Sequence, residues 1–153
     1  MQIIKTLNEL ELYLDCAKTL GKSIGFVPTM GALHRGHASL IEASKAKDDL
    51  TICSIFVNPT QFNEASDLEK YPRTPERDAL MLRMLKTDAL FIPAASEIYP
   101  KEAVRRPDFQ LSHLTNVLEG HYRTGHFDGV IEVMYRLLTL VQADRVYMGL
   151  KDF

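Results

Sequence analysis

The residues of this sequence best able to do chemistry fall in four short clusters, each beside a run that reads as regular structure. The first is PTMGALHRGH, residues 28–37. Gly31 and Gly36 allow close backbone approach and unusual dihedrals. A helix starting here offers unpaired N–H groups and a partial positive charge, a seat for phosphate. His34 and His37 can then donate hydrogen bonds to phosphate oxygens as charge develops in a transition state. The plain alternative is a glycine turn with two satisfied histidines. A metal reading of the pair finds no third ligand at metal-motif spacing nearby. The second cluster is SIFVNPTQF, residues 54–62. The amides of Asn58 and Gln61 donate and accept, which suits a substrate carrying hydroxyls and a carboxylate. Its alternative is a loop held by Asn and Pro turn chemistry.

The third cluster, EGHYRTGHFDGV at residues 119–130, offers Arg123 and His126 to an anion near a helix start, or else is a surface loop with a solvated arginine. The fourth, GLKDF at residues 149–153, offers Lys151 as a point charge for phosphate oxygens. Ordinary solvated charges are the alternative there, and Asp152 has no clear part. Between these, DLEKYPRTPERD at residues 67–78 reads as a loop and a helix cap, with Arg73 a candidate anion contact.

The elements that must position these clusters are legible around them. Thr6-Leu7-Asn8-Glu9 has the form of a capping box, and Leu10, Tyr13, Leu14 and Ala17 follow at helical spacing until Gly21 closes the helix. The apolar run 23–28 reads as a buried strand, and a second helix is expected from Gly36 to about Lys47. Residues 51–57, TICSIFV, are β-branched and apolar and read as a second buried strand. Thr74-Pro75 is an N-cap with proline at the first helical position, ahead of a run of good helix formers. Residues 89–93 and 145–148 read as further strands. Val130, Val133, Met134, Leu137, Leu138 and Val141 mark the clearest helical stripe, while residues 94–118 are irregular. Strands alternating with helices predict a parallel α/β sheet covered on both faces. Ligands in such sheets sit outside the carboxyl ends of the strands, where the clusters fall.

The chain has 153 residues, one ordinary domain, with 46% hydrophobic and 25% charged residues, which argues against a disordered or low-complexity protein. A net charge of −2 carries no basic excess that would point to nucleic acid or an anionic membrane. No apolar run approaches the roughly 18 residues of a membrane span, and the N-terminus lacks the uninterrupted apolar core of a signal peptide. Two cysteines, Cys16 and Cys53, are too few for a disulfide scaffold, so a cytoplasmic location is expected. Cys53, inside a strand, reads as a small core residue.

The pattern T-x-G-x-x-H-x-G-H resembles the signature of the nucleotidyltransferase superfamily. The fuller strings PTMGALHRGHASLI, FVNPTQF, R-x-x-H-F-x-G-V and G-x-K-D, in this order, are similar to the pantothenate synthetase (pantoate–β-alanine ligase) family. Thr124 stands where that family has proline, and Leu150 where it has glutamate. The resemblance implies a Rossmann-like sheet of the HxGH type that spans residues 1–153 as one nucleotide- and pantoate-binding domain, the family's C-terminal domain being absent. It implies ATP-dependent condensation of pantoate with β-alanine through a pantoyl adenylate, releasing AMP and pyrophosphate, with Mg2+ on the phosphates and no metal held by the protein itself. On this resemblance His37, His34 and Lys151 are catalytic. Met30, Gly31, Ala32, Leu33, His34, Arg35, Gly36 and His37, with Gly149, Leu150, Lys151 and Asp152, surround ATP. Gln61, Asn58, Arg123 and His126 face pantoate and β-alanine. The partners implied are these small molecules and a second copy in a homodimer, with neither nucleic acid nor membrane.

Three other readings compete. A different nucleotidyltransferase would want more positive charge than the amides of Asn58 and Gln61 supply. A non-catalytic module would only bind nucleotide or dimerise. A metal hydrolase would use His34, His37 and His126.

Overall fold

A computed structural model of the chain describes residues 1–100 and 126–150. Five strands, β1 (Gln2–Ile4), β2 (Ile24–Thr29), β3 (Leu50–Ile55), β4 (Ala89–Phe91) and β5 (Arg145–Val146), form one sheet in the order β1-β4-β3-β2-β5. Every pairing is parallel, including β2 with β3 from Ile24↔Leu50 to Thr29↔Ile55. Among the described residues the helices are α1 (Leu7–Thr19), α2 (Arg35–Lys45), α3 (Ala65–Lys70), α4 (Pro75–Met84), α5 (Ala95–Ile98) and α6 (His126–Val141), with a 3-10 turn at Pro59–Gln61. The expected Rossmann-like parallel sheet flanked by helices is present. Among the described residues, no helix is long and apolar enough to cross a membrane.

Strand alternation sends side chains to two cores. Ile4, Phe26, Ile52 and Phe91 pack with Leu10, Leu14 and Ala17 of α1, Ile98 of α5, and Val133, Leu137 and Val141 of α6. On the opposite face Val27, Cys53 and Leu90 pack with Leu33, Ile41 of α2 and Leu82 of α4. Each fully buried Leu, Ile or Phe contributes about 1.5–3 kcal/mol. Cys53 belongs to this core; burial pushes its thiol up to about 12, where it is no nucleophile.

The capping box at α1 is made: Glu9 N donates to Thr6 Oγ1 at 3.2 Å and Thr6 N to Glu9 Oε2 at 3.1 Å. Other expectations need correction. The sheet gains β1, whose three residues pair with β4 at the edge. Strand β5 stops at Val146 instead of Met148, and the cause lies in Pro28. The carbonyls of Ile24 and Phe26 accept from Asp144 N and Tyr147 N, so by the two-residue alternation the missing N–H of Pro28 faces the β5 side. The ladder ends there. Helix α2 runs Arg35–Lys45, one residue earlier at its start and two shorter at its end. Residues 94–118, expected to be irregular, contain α5; residues 101–118 lie outside the described part.

Candidate active site

The turn that leaves β2 is built from backbone that side chains hold in place. Gly31 has φ +83° and Ala32 φ +50°, the left-handed region that a residue with a Cβ adopts only against a cost of order 1 kcal/mol. What holds it is Asp78 of α4, 1% exposed. Its Oδ2 accepts from Ala32 N at 2.9 Å and its Oδ1 from Leu33 N at 2.8 Å. Thr74 Oγ1 donates to the same Oδ1 at 3.1 Å. Thr74 precedes Pro75 at the start of α4 as expected, yet its hydroxyl makes no cap bond to the helix backbone. A charged acceptor takes that hydrogen instead.

His34 is the N-cap of α2. Its Nδ1 accepts from Gly36 N at 3.1 Å, and its side chain also meets the His37 backbone N–H as half of a capping box. His37 Nδ1 in turn accepts from His34 N at 3.3 Å. The two rings lie 4.1 Å apart between centroids, tilted 39°. A Cβ on residue 36 would come within 2.9 Å of His34 Cε1, so glycine is needed there for the ring to fold back over the helix start.

The sequence predicts unpaired N–H groups at this helix start, and the structure pairs most of them. Gly31 N goes to Thr29 Oγ1, Ala32 and Leu33 N to Asp78, His34 N to His37, and Gly36 N to His34. The consequence is chemical. With Nδ1 acting as acceptor on both rings, the neutral imidazoles carry their protons on Nε2. What this helix start can offer an anion is therefore imidazole N–H rather than backbone N–H.

On the neighbouring strand, Gln61 ends the 3-10 turn after β3. Its Nε2 donates to Met30 Sδ at 2.8 Å, and its Oε1 accepts from Asn58 Nδ2 at 3.2 Å. Gln61 and the histidine turn therefore share the carboxyl edge of the sheet. Asn58, read from sequence as facing substrate, is 1% exposed and its amide is engaged within the protein. Nδ2 also donates to the Gly129 carbonyl at 3.0 Å, while Oδ1 accepts from Tyr99 OH at 2.8 Å and Thr60 Oγ1 at 3.0 Å. Helix α6 approaches so closely that a Cβ on residue 129 would meet the Thr60 carbonyl oxygen at 2.5 Å.

Of the remaining predicted site residues, Arg35 is exposed and Gly149 half-buried. Leu150 is 91% exposed. Arg123, Lys151, Asp152 and the side chain of His126 lie outside the described residues. Arg73, the candidate anion contact, donates Nη2 to the Leu68 carbonyl at 3.2 Å. Asp78 and Tyr99 escaped the sequence reading. A signal for Asp78 existed: it shares a helical face with Met81, Leu82 and Leu85, a stripe where a charge is out of place unless it is buried and bonded. Among the described residues, no group of three or more His, Cys, Asp or Glu side chains is arranged to hold a metal ion.

Residues 2–153 match the sequence model of the family described as pantoate-beta-alanine ligase. The chain is 48% identical over 153 residues to a pantothenate synthetase of Porphyromonas gingivalis, covering all of this chain and 54% of that protein. It is 50% identical over 153 residues to one of Brucella anthropi, covering 52% of it. Among solved structures it is similar to pantothenate synthetase from Thermus thermophilus, with a TM-score of 0.87 and 41% identity over 97% of this chain and 52% of the other. It is also similar to pantoate-beta-alanine ligase from Francisella tularensis, solved as a complex with β-γ ATP and β-alanine, with a TM-score of 0.85 and 40% identity over 95% of this chain and 55% of that one. The chain spans about half the length of the curated relatives it matches.

Proposed function

The chain belongs to the pantoate-beta-alanine ligase family, and on that premise we propose that its carboxyl edge binds ATP and pantoate for an AMP-forming condensation with β-alanine. A pantoate carboxylate oxygen attacks the α-phosphorus of ATP, the bond to pyrophosphate breaks, and pantoyl adenylate forms. The β-alanine amine then attacks the acyl carbon, AMP leaves, and pantothenate results. No protein nucleophile takes part. The first step needs donors at the phosphates as charge moves to the leaving pyrophosphate. His34 and His37 supply them from Nε2, with Lys151 adding a positive charge.

The single observation that carries this reading is the pair of imidazoles whose Nδ1 atoms are tied to the backbone at 3.1 and 3.3 Å, on the sheet edge that also holds Gln61. Gln61 faces pantoate, and the family resemblance assigns Arg123 and His126 to the same acid. Both oxygens of Asp78 are engaged with the turn, which fits Mg2+ arriving on the ATP phosphates as part of the substrate. Residues 1–153 form the nucleotide- and pantoate-binding domain in this reading, and the protein is a cytoplasmic homodimer. The two unpaired cysteines support the compartment, and the family resemblance alone supports the dimer.

Calorimetry of this chain with ATP, pantoate and a non-hydrolysable pantoyl-adenylate mimic tests the reading. The expected result is saturable binding of each, with the mimic tightest because it joins both subsites. Absence of binding by all three would overturn it.

A further inference from the structure

Behind Gln61 stands a directed chain of hydrogen bonds that begins at Tyr99. This residue follows α5, and Arg136 of α6 lies over its ring, Cζ 4.8 Å from the centroid. The same guanidinium donates to the Ile98 carbonyl at 3.1 Å and to Glu132 Oε1 at 3.0 and 3.2 Å. The ring is therefore held on its face and at its backbone, and burial raises the phenol's pKa, so the hydroxyl keeps its proton at neutral pH. That hydroxyl donates to Asn58 Oδ1 at 2.8 Å.

Asn58 can sit only one way round. Its Oδ1 also meets Thr60 N at 3.3 Å, and its Nδ2 meets the Gly129 carbonyl at 3.0 Å. A backbone N–H only donates and a carbonyl only accepts, so the amide direction is fixed. The other Nδ2 hydrogen then faces Gln61, which must take it on Oε1, at 3.2 Å. The Gln61 nitrogen is left as the end turned toward Met30, where it meets a thioether sulfur at 2.8 Å. Sulfur is a weak acceptor. A carboxylate or hydroxyl oxygen arriving there displaces it.

We propose that Tyr99 is a positioning residue which, together with the Thr60 and Gly129 backbone groups, holds Asn58 in the one orientation that sets the direction of the Gln61 amide, so that the site presents an N–H donor to an acceptor oxygen of the acid substrate. The inference rests on the reading of Gln61 as the substrate-facing group. The chain runs Tyr99 O–H to Asn58 oxygen, Asn58 N–H to Gln61 oxygen, and Gln61 N–H to the ligand. Each bond polarises the next. The site should then favour a ligand oxygen with lone pairs over an amide or ammonium nitrogen at that contact.

Tyr99→Phe keeps the ring under Arg136 and removes only the hydroxyl. In the ligand-free, 15N-labelled chain, the side-chain amide signals of Asn58 and Gln61 should each form one set, and in Tyr99→Phe the Gln61 signals should shift or double. In calorimetry, pantoate affinity should fall about five- to tenfold, the scale of one lost hydrogen bond, with ATP affinity changed less than twofold. Gln61→Glu, at a half-buried surface position, keeps the oxygen that Asn58 needs and replaces the donor with a charged acceptor. It should weaken pantoate by about 100-fold or more, and retained affinity would overturn the assigned direction. Gln61 signals unmoved in a folded Tyr99→Phe would overturn the role of Tyr99. If the wild-type chain binds no pantoate while the Gln61 signals still shift in Tyr99→Phe, the functional reading falls and the positioning inference is upheld.

Discussion

At the amino edge of the sheet, separate carboxylates close the strand starts. Asp144 accepts from Ile24 N at 2.7 Å, Asp49 from Ser23 N at 2.9 Å, and Asp88 from Thr51 N at 2.9 Å. Asp48, its carboxylate fully buried over Gly25, takes Arg145 Nη1 and Tyr147 OH at 2.6 Å each and ties β5 to the start of β3. The turns that enter β4 and β5 also hold left-handed residues, Lys86 at φ +55° and Gln142 at φ +46°. At the carboxyl edge one carboxylate, Asp78, serves two backbone N–H groups and a hydroxyl, under a turn in which Ala32 is left-handed. Two imidazoles and two amides, with backbone donors and acceptors interleaved, complete it. Left-handed backbone occurs at both edges, so the difference lies in how the polar groups are used. The amino edge uses acids to finish a sheet, whereas the carboxyl edge spends buried polar groups to hold a few side chains in one orientation, the preorganisation that differential stabilisation of a transition state requires.

Breaking the carboxyl edge at its donors should give the largest effect. His37→Ala should lower pantoyl-adenylate formation by about 100- to 1,000-fold with little change in melting temperature, measured by pyrophosphate release in a chain carried to the full length of its relatives. Unchanged adenylation with a marked fall in melting temperature would make His37 a packing residue like those of the core. Next comes the support of the turn. Asp78→Ala leaves the N–H groups of Ala32 and Leu33 without their acceptor and should cost about 3 kcal/mol in urea unfolding. A loss no larger than that from Asp144→Ala, which removes a single contact, would erase the contrast between the edges. Gly129→Ala pushes a methyl against the Thr60 carbonyl and should cost about 1–3 kcal/mol, with the Gln61 amide signals moving as α6 shifts.

The contrast also marks what could be seen in advance. The amphipathic stripes, the β-branched runs and the Thr6–Glu9 box are local patterns, and each produced its element where the sequence predicts it. The histidine turn was legible because two strand-flanking glycines and two histidines lie within ten residues. What escaped depends on partners far apart in the chain. Asp78 lies 46 residues from Ala32, and only the packing of α4 against the turn joins them. Tyr99 lies 41 residues from Asn58, beyond the reach of any periodicity. Strand β5 ends where it does because of a proline in β2, and the three residues of β1 are too few for alternation to register. Asn58 reads as a ligand contact because an amide after a strand fits either role; in the structure it is buried and its amide is bonded within the protein.

The smallest expected effect lies at the amino edge and sharpens the comparison from that side. Asp49 is exposed, and its carboxyl is held below the usual value of 3.8, first by the Ser23 backbone N–H, then by the Ser23 hydroxyl, with Lys22 a lesser cause. A carboxyl whose folded pKa is depressed stabilises the fold above its unfolded value, and that contribution disappears as pH falls through the folded one. The window therefore lies below about pH 4, and no effect is expected between pH 5 and 8. Because the group is in water, the contribution is small and screened. Asp49→Asn should leave the melting temperature at pH 7 nearly unchanged and flatten its decline in acid. In an NMR titration, the Ser23 amide should follow the Asp49 carboxyl and shift with a midpoint below 3.8. A Ser23 midpoint at or above that value would mean that the N–H is bound to water and not to Asp49. The amino edge would then be held by Asp48, Asp88 and Asp144, and its carboxylates would differ among themselves as much as the two edges differ from each other.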